Sequence, residues 1–163
     1  LMSLFEESIL KECKELKENG VKVRFIGKIE ELRPKLREKI NWIENETKNE
    51  SKLILNVAAN YGGRSEILTA VSKIIDDVQS GKLSKENIDE KAFENYLYTA
   101  NLPDPDLIIR TSGEMRISNY LLWQLAYSEI WVTETCWPDF SIPEFLEAIK
   151  DFQTRDRKFG KEK

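Results

Sequence analysis

One stretch of this chain gathers side chains that could do chemistry together: IRTSGEMRISNYLLW, residues 109–123. Arg110 stands where an apolar run ends, Arg116 follows in the loop, and Ser118 and Asn119 open the next segment. Two guanidiniums, a hydroxyl and the free amides of a helix start, converging on one place, make a cradle for a phosphate or diphosphate. Glu114 lies between the two arginines. Pairing with one of them is its favoured role; orienting an arginine or helping to hold a metal is the other. A second loop, NVAANYGGRSE (56–66), has two glycines that let backbone approach a ligand, with Arg64 at a helix start. It reads equally well as an ordinary Gly-rich turn with a surface arginine.

Other acids are less telling. Glu129 sits between Tyr127 and Ile130 at a strand start. It is either an exposed strand-edge charge or a magnesium ligand, since magnesium takes carboxylates together with substrate phosphates. Asp104 and Asp106 read as turn residues, and Asp76 and Asp77 as solvent-facing positions late in a helix. No GxxxxGK[ST], GxGxxG or GxSxG run is present.

Composition removes whole classes of function. The chain has 163 residues, 40% apolar and 33% charged, and no histidine. Ser-His and Cys-His nucleophile pairs, histidine bases and histidine-ligated metals are thereby excluded. With 25 basic and 29 acidic side chains the net charge is -4, which argues against a nucleic-acid partner. Cys13 and Cys136 are far apart and form no CxxC, so a reducing cytoplasm is the expected location. No run of about 18 apolar residues occurs, and LMSLFEESIL carries acids where a signal peptide would be basic. The chain opens at Leu1 inside a helical pattern, as a fragment would.

The elements that must position these residues follow from periodicity. Leu1, Phe5, Ile9, Cys13 and Leu16 mark an amphipathic helix that Asn19-Gly20 ends. VKVRFIG alternates as a strand, and Leu32, Leu36, Ile40 and Ile43 mark a second helix with Pro34 in its first turn. KLILNVAAN is apolar enough for a strand buried on both faces. A helix bearing Ile67, Val71, Ile74 and Val78 runs to Gly81, and a shorter one surrounds Phe93 and Leu97. DLIIR is a buried strand, NYLLWQLAY a buried helix and EIWVTE a last strand. Ser141 and Glu144 form a capping box for a final helix with Phe145, Leu146, Ile149 and Phe152 inward. Alternating strands and helices predict an α/β fold: one domain over 1–163, with a mostly parallel sheet covered by helices on both faces and strands missing on its N-terminal side.

LILNVAANYGGRSEI and PDLIIRTSGEMRISNYLLWQLAYSEIWVTETCWPDF resemble the cis-prenyltransferases, closely so the undecaprenyl diphosphate synthase-like members. The similarity runs from LMSLFEESIL to RDRKFG and implies that family's fold. It implies a transferase that condenses isopentenyl diphosphate, in cis, onto an allylic diphosphate such as farnesyl diphosphate, with magnesium as cofactor. A homodimer is implied, cytoplasmic or peripheral at the inner face of the membrane, touching the membrane surface as product leaves. By motif match Arg110, Arg116, Ile117 and Ser118 would bind isopentenyl diphosphate, Glu129 would serve the metal, and Glu114 is an important motif acid. Asn60 and Arg64 are supporting positions, and Leu53 is a wall residue of the apolar tunnel.

Three departures from the family pattern stand out. Met115 replaces a common histidine, and the tail motif reads Lys158-Phe159-Gly160 in place of Arg-x-Gly. The Asp-Gly-Asn-Gly-Arg and Ser-Glu-Asn segments, which serve the allylic diphosphate and the proton acceptor, are absent. The 163 residues alone are therefore expected to be inactive, or to lend the Arg-rich loop to an active partner subunit.

Overall fold

The computed structural model describes residues 12–157. The apolar positions Leu1, Phe5 and Ile9 and the tail Lys158-Phe159-Gly160 lie outside the described residues. The chain forms two compact units, Leu1–Ala100 and Asn101–Lys163.

In the first unit a helix, α1, is described over 12–18. It ends as the Asn-Gly pair predicts: Gly20 is left-handed (φ 76) and its amide reaches the Lys17 carbonyl at 2.9 Å. Then come β1 (Val21–Ile26), α2 (Pro34–Thr47), β2 (Leu53–Ala58), α3 (Gly63–Gln79) and the short α4 (Glu90–Glu94). Pro34 opens α2, where a missing N–H does no harm. The strands pair in parallel, from Val21 beside Leu53 to Ile26 beside Ala58. Cys13, Val23 and Ile43 are buried together, with Leu16, Phe25 and Val57 packed on them. Leu36 and Ile40 of the α2 stripe are buried too.

The outer edge of β1 is covered by side chains of α2. The Val23 amide donates to Thr47 Oγ1 at 3.0 Å and the Phe25 amide to Glu44 Oε1 at 2.7 Å. Thr47 is fully buried, and its hydroxyl in turn donates to the Ile43 carbonyl at 2.8 Å. Backbone donors that would otherwise be stranded are thus satisfied. At the far end of β1, Gly27 is left-handed (φ 125), and a Cβ there would sit 2.1 Å from the Ala59 carbonyl oxygen. Only glycine lets the two strand ends approach so closely.

Two expectations for this unit need correction. Leu53, Ile54 and Leu55 of β2 are exposed, not buried on both faces. The strand has β1 on one side and no other paired strand among the described residues, so its apolar run lacks cover. Asp77 does not simply face solvent: it accepts the Tyr96 hydroxyl at 2.8 Å and pairs with Lys82.

In the second unit β3 (Leu107–Arg110) and β4 (Glu129–Val132) pair in parallel, and α5 (Ile142–Thr154) packs against β4. The predicted capping box is present at Ser141 and Glu144. The apolar face of α5 is only partly covered: Ala148 is buried while Phe145 and Leu146 stay exposed. The predicted helix NYLLWQLAY is not formed. Ser118, Asn119 and Leu121 have left-handed backbones (φ 47, 63 and 43), and such residues cannot continue a right-handed helix. Residues 117–128 instead close successive turns, Tyr120 to Ile117, Ala126 to Trp123 and Ser128 to Leu125. Burial of Leu121 and Gln124 anchors these turns. The apolar residues thus mark points of anchorage, not a continuous helical face.

The α2 cover on β1 makes a prediction. Thr47→Val keeps the shape but leaves the Val23 amide without its acceptor, and should cost about 1–3 kcal/mol. Urea unfolding with an unshifted midpoint would contradict it.

Candidate functional site

Arg110 is the last residue of β3, at the carboxyl end where parallel sheets bind ligands. The pleat puts Arg110 on the same face as Ile108, and the register puts Ile130 and Val132 beside them on β4. Arg110, Met115, Arg116, Ile117 and Ser118 close this face into a cavity of about 550 Å³ with Ile108, Ile130 and Val132. One end of the cavity is cationic and its walls are aliphatic.

Glu114 reaches both arginines. Arg110 Nη2 donates to its Oε2 at 2.7 Å, and Arg116 holds Oε1. Arg110 comes first among the causes that lower the Glu114 pKa below the usual carboxylate range. Two guanidiniums against one carboxylate leave a single positive charge in excess. Arg110 Nε is buried and, among the described residues, meets no acceptor, a donor suited to an anion's oxygen. Ser118 presents its hydroxyl from a left-handed turn (φ 47). The helix amides expected beside it are absent, because the helix is not there.

The loop between the arginines is fastened to the chain after β4. The Ser112 amide donates to the Thr135 carbonyl at 3.0 Å and the Gly113 amide to the Thr133 carbonyl at 2.8 Å. Ser112 and Gly113 are both left-handed (φ 64 and 65). A Cβ on Gly113 would lie 2.4 Å from the Glu134 carboxylate, which could swing aside, so it is the left-handed backbone that calls for glycine here.

Glu129 is not brought to the cradle. It pairs with Leu107 at the other end of the β3–β4 ladder, about 10 Å along the strand from Arg110. Its Oε2 accepts Arg155 Nη1 at 2.8 Å, and Arg155 also grips Asp151 at 2.6 Å. Among the described residues no group of three or more His, Cys, Asp or Glu is arranged for a metal ion. Magnesium commonly takes only one or two carboxylates together with waters and substrate phosphates, and Glu129 is the one acid here that the sequence assigns to it; no step below runs through a metal.

The supporting positions belong to the first unit. Asn60 is left-handed (φ 49) and donates to the Lys28 carbonyl at 3.1 Å and Glu31 at 3.0 Å, a turn-holding role. Arg64 is exposed in the first turn of α3. Leu53 begins β2 and is 60% exposed. Sequence reasoning missed Glu66, which is 1% exposed and takes the Tyr61 hydroxyl at 2.5 Å and the Tyr98 amide at 2.8 Å. It also missed Ile108, Ile130 and Val132, although period-two alternation from Arg110 would have found them.

A family model described as "Putative undecaprenyl diphosphate synthase" matches residues 1–160. The chain belongs to this family. It is 51% identical over 160 residues to an isoprenyl transferase of Heliobacterium mobile, covering 98% of this chain and 62% of that protein. It is 51% identical over 154 residues to a tritrans,polycis-undecaprenyl-diphosphate synthase (geranylgeranyl-diphosphate specific) of Thermoplasma volcanium, covering 94% of this chain and 59% of that protein. The chain thus spans about three-fifths of the length of these curated relatives. Among solved structures it resembles lavandulyl diphosphate synthase from Lavandula x intermedia in complex with dimethylallyl diphosphate, with TM-score 0.94 and 34% identity over 98% of this chain and 70% of that one. A probable undecaprenyl diphosphate synthase from Campylobacter jejuni gives TM-score 0.85 and 35% identity over 98% and 73%. The α/β class expected of the undecaprenyl diphosphate synthase family is the class observed. No helix among the described residues is long and apolar enough to cross a membrane.

The lowered Glu114 pKa has a sign. A depressed folded-state pKa gives stability that is present above the unfolded value and lost as pH falls through the folded one. Carboxyl NMR should show Glu114 still ionised below the usual glutamate midpoint of about 4.3. Arg110→Gln should move its titration upward, and no movement would remove Arg110 as the cause.

Proposed function

We propose that this chain supplies the isopentenyl diphosphate site of a cis-prenyltransferase, within one α/β domain. The observation that carries the reading is the shape of the cavity: guanidiniums and a buried unpartnered N–H at one end, aliphatic walls beside them. A short isoprenyl diphosphate has the same division, with charged oxygens at one end and an apolar branch at the other. Arg110, Arg116 and Ser118 hold the diphosphate by charge-assisted bonds. Ile108, Ile117, Ile130 and Val132 hold the five-carbon part and keep water from it. Bound so, the substrate's double bond is presented to an allylic carbon. A C–C bond forms there, the allylic C–O bond breaks with its electron pair leaving on diphosphate, and a proton is then lost from the new cation.

The motifs for the allylic diphosphate and the proton acceptor do not occur in these residues. The chain alone therefore binds and does not turn over. For the whole protein, farnesyl diphosphate as acceptor and a product such as undecaprenyl diphosphate go with the reading. A homodimer, a cytoplasmic or inner-membrane-face location, and brief membrane-surface contact on product release complete it. A magnesium requirement is proposed for the whole protein only. Glu129 would add one donor to it after parting from Arg155.

Arg116→Ala tests the reading. In the whole protein it should raise the KM for isopentenyl diphosphate about 10–100-fold, as loss of a charge-assisted contact would. In this chain alone it should abolish calorimetric binding of inorganic diphosphate. Unchanged KM and unchanged binding would refute the cradle.

A further inference from the structure

A chain of hydrogen bonds runs from α5 to the arginine loop, with Glu144 at its start. Glu144 Oε2 accepts the Ser141 amide at 3.0 Å, the ordinary business of a capping box, and also the Ser141 hydroxyl at 3.1 Å. Its other oxygen is turned elsewhere. Oε1 accepts the Thr135 hydroxyl at 2.5 Å and the Thr133 hydroxyl at 3.4 Å. The Thr135 amide donates back to Thr133 Oγ1 at 3.2 Å. Both threonines are thereby fixed, and their carbonyls hold the amides of Ser112 and Gly113.

Those two left-handed residues decide where the loop points, because Glu114 follows Gly113 directly. A left-handed backbone at Ser112 costs about 1–2 kcal/mol and persists only where its surroundings hold it. The Thr133 and Thr135 carbonyls are what hold it. A helix cap needs only one carboxylate oxygen, so the second explains nothing about the helix. It explains the loop.

We propose that Glu144 is a positioning residue for the diphosphate cradle, acting through Thr135 and Thr133 on the Ser112–Gly113 turn and so on Glu114, Arg110 and Arg116. The proposal rests on the cradle reading above and adds a residue outside the loop to it. Glu144 does not line the cavity. Its carboxyl pKa is lowered, by the Thr135 hydroxyl first and the Ser141 amide second, which keeps it an ionised acceptor.

The test compares three variants of the purified protein by calorimetric titration with inorganic diphosphate and by amide hydrogen exchange. Glu144→Ala removes both arms. Thr135→Val removes the shorter of the two bonds in the arm toward the loop and leaves the cap. Ser141→Ala removes the cap hydroxyl and leaves the arm toward the loop. Glu144→Ala and Thr135→Val should each weaken diphosphate binding about 3–10-fold, the worth of one hydrogen bond. They should also speed exchange at the Ser112 and Gly113 amides. Ser141→Ala should lower the Tm and change neither. Thr135→Val with unaltered binding and exchange would overturn the proposal, as would equal losses in Thr135→Val and Ser141→Ala. If Thr135→Val speeds exchange but the unaltered protein binds no diphosphate, the cradle reading falls while the link from Glu144 to the turn stands. If binding weakens in Arg116→Ala but not in Glu144→Ala or Thr135→Val, the cradle stands and Glu144 has no part in it.

Discussion

Like charges repel, and the whole second unit is arranged around that constraint. Arg110 and Arg116 can share one short loop because Glu114 lies between them and touches both. Without the carboxylate, two guanidiniums facing a half-apolar cavity would be driven apart or out into solvent. With it, they are held at a fixed spacing while one positive charge stays uncompensated. The site is ready for an anion before any anion arrives, which is what preorganised electrostatics requires. The rest of the unit serves this loop. The pleat of β3 aims Arg110, the ladder to β4 gives the aliphatic wall, and the turn at Ser112 and Gly113 brings Glu114 back toward Arg110.

The same constraint explains why the loop contains so few replaceable residues. Gly113 answers a left-handed backbone. The threonines answer both a ladder end and a helix cap. Glu129, by contrast, is engaged in a separate ion-pair group with Arg155 and Asp151 at the opposite end of the strands. An acid can stand near a cationic site in sequence and be remote from it in space, because a parallel strand carries its two ends about 3.3 Å further apart with every residue.

Much of this was legible from residues alone. The alternation of VKVRFIG, the α2 stripe of Leu36, Ile40 and Ile43, and the Ser141–Glu144 box all depend on neighbours close in sequence, and all appear as expected. The structure also brings Arg110, Arg116 and Ser118 to one cavity, as the spacing of the loop residues suggested. What failed depended on surroundings. NYLLWQLAY has the apolar content of a buried helix, but its backbone is set by the left-handed residues before and within it. The β2 run has the composition of a strand covered on both faces, but cover is a property of the neighbours and not of the run. Glu66 and the second oxygen of Glu144 were invisible because their partners lie on other elements or past a turn.

The side chains that close the outer edge of β1 give the first unit a direction. With the Val23 and Phe25 amides already taken by Thr47 and Glu44, an incoming strand finds two of that edge's donors already used. Among the described residues β2 carries no such cover, and its exposed Leu53, Ile54 and Leu55 leave that side of the first unit open to further packing.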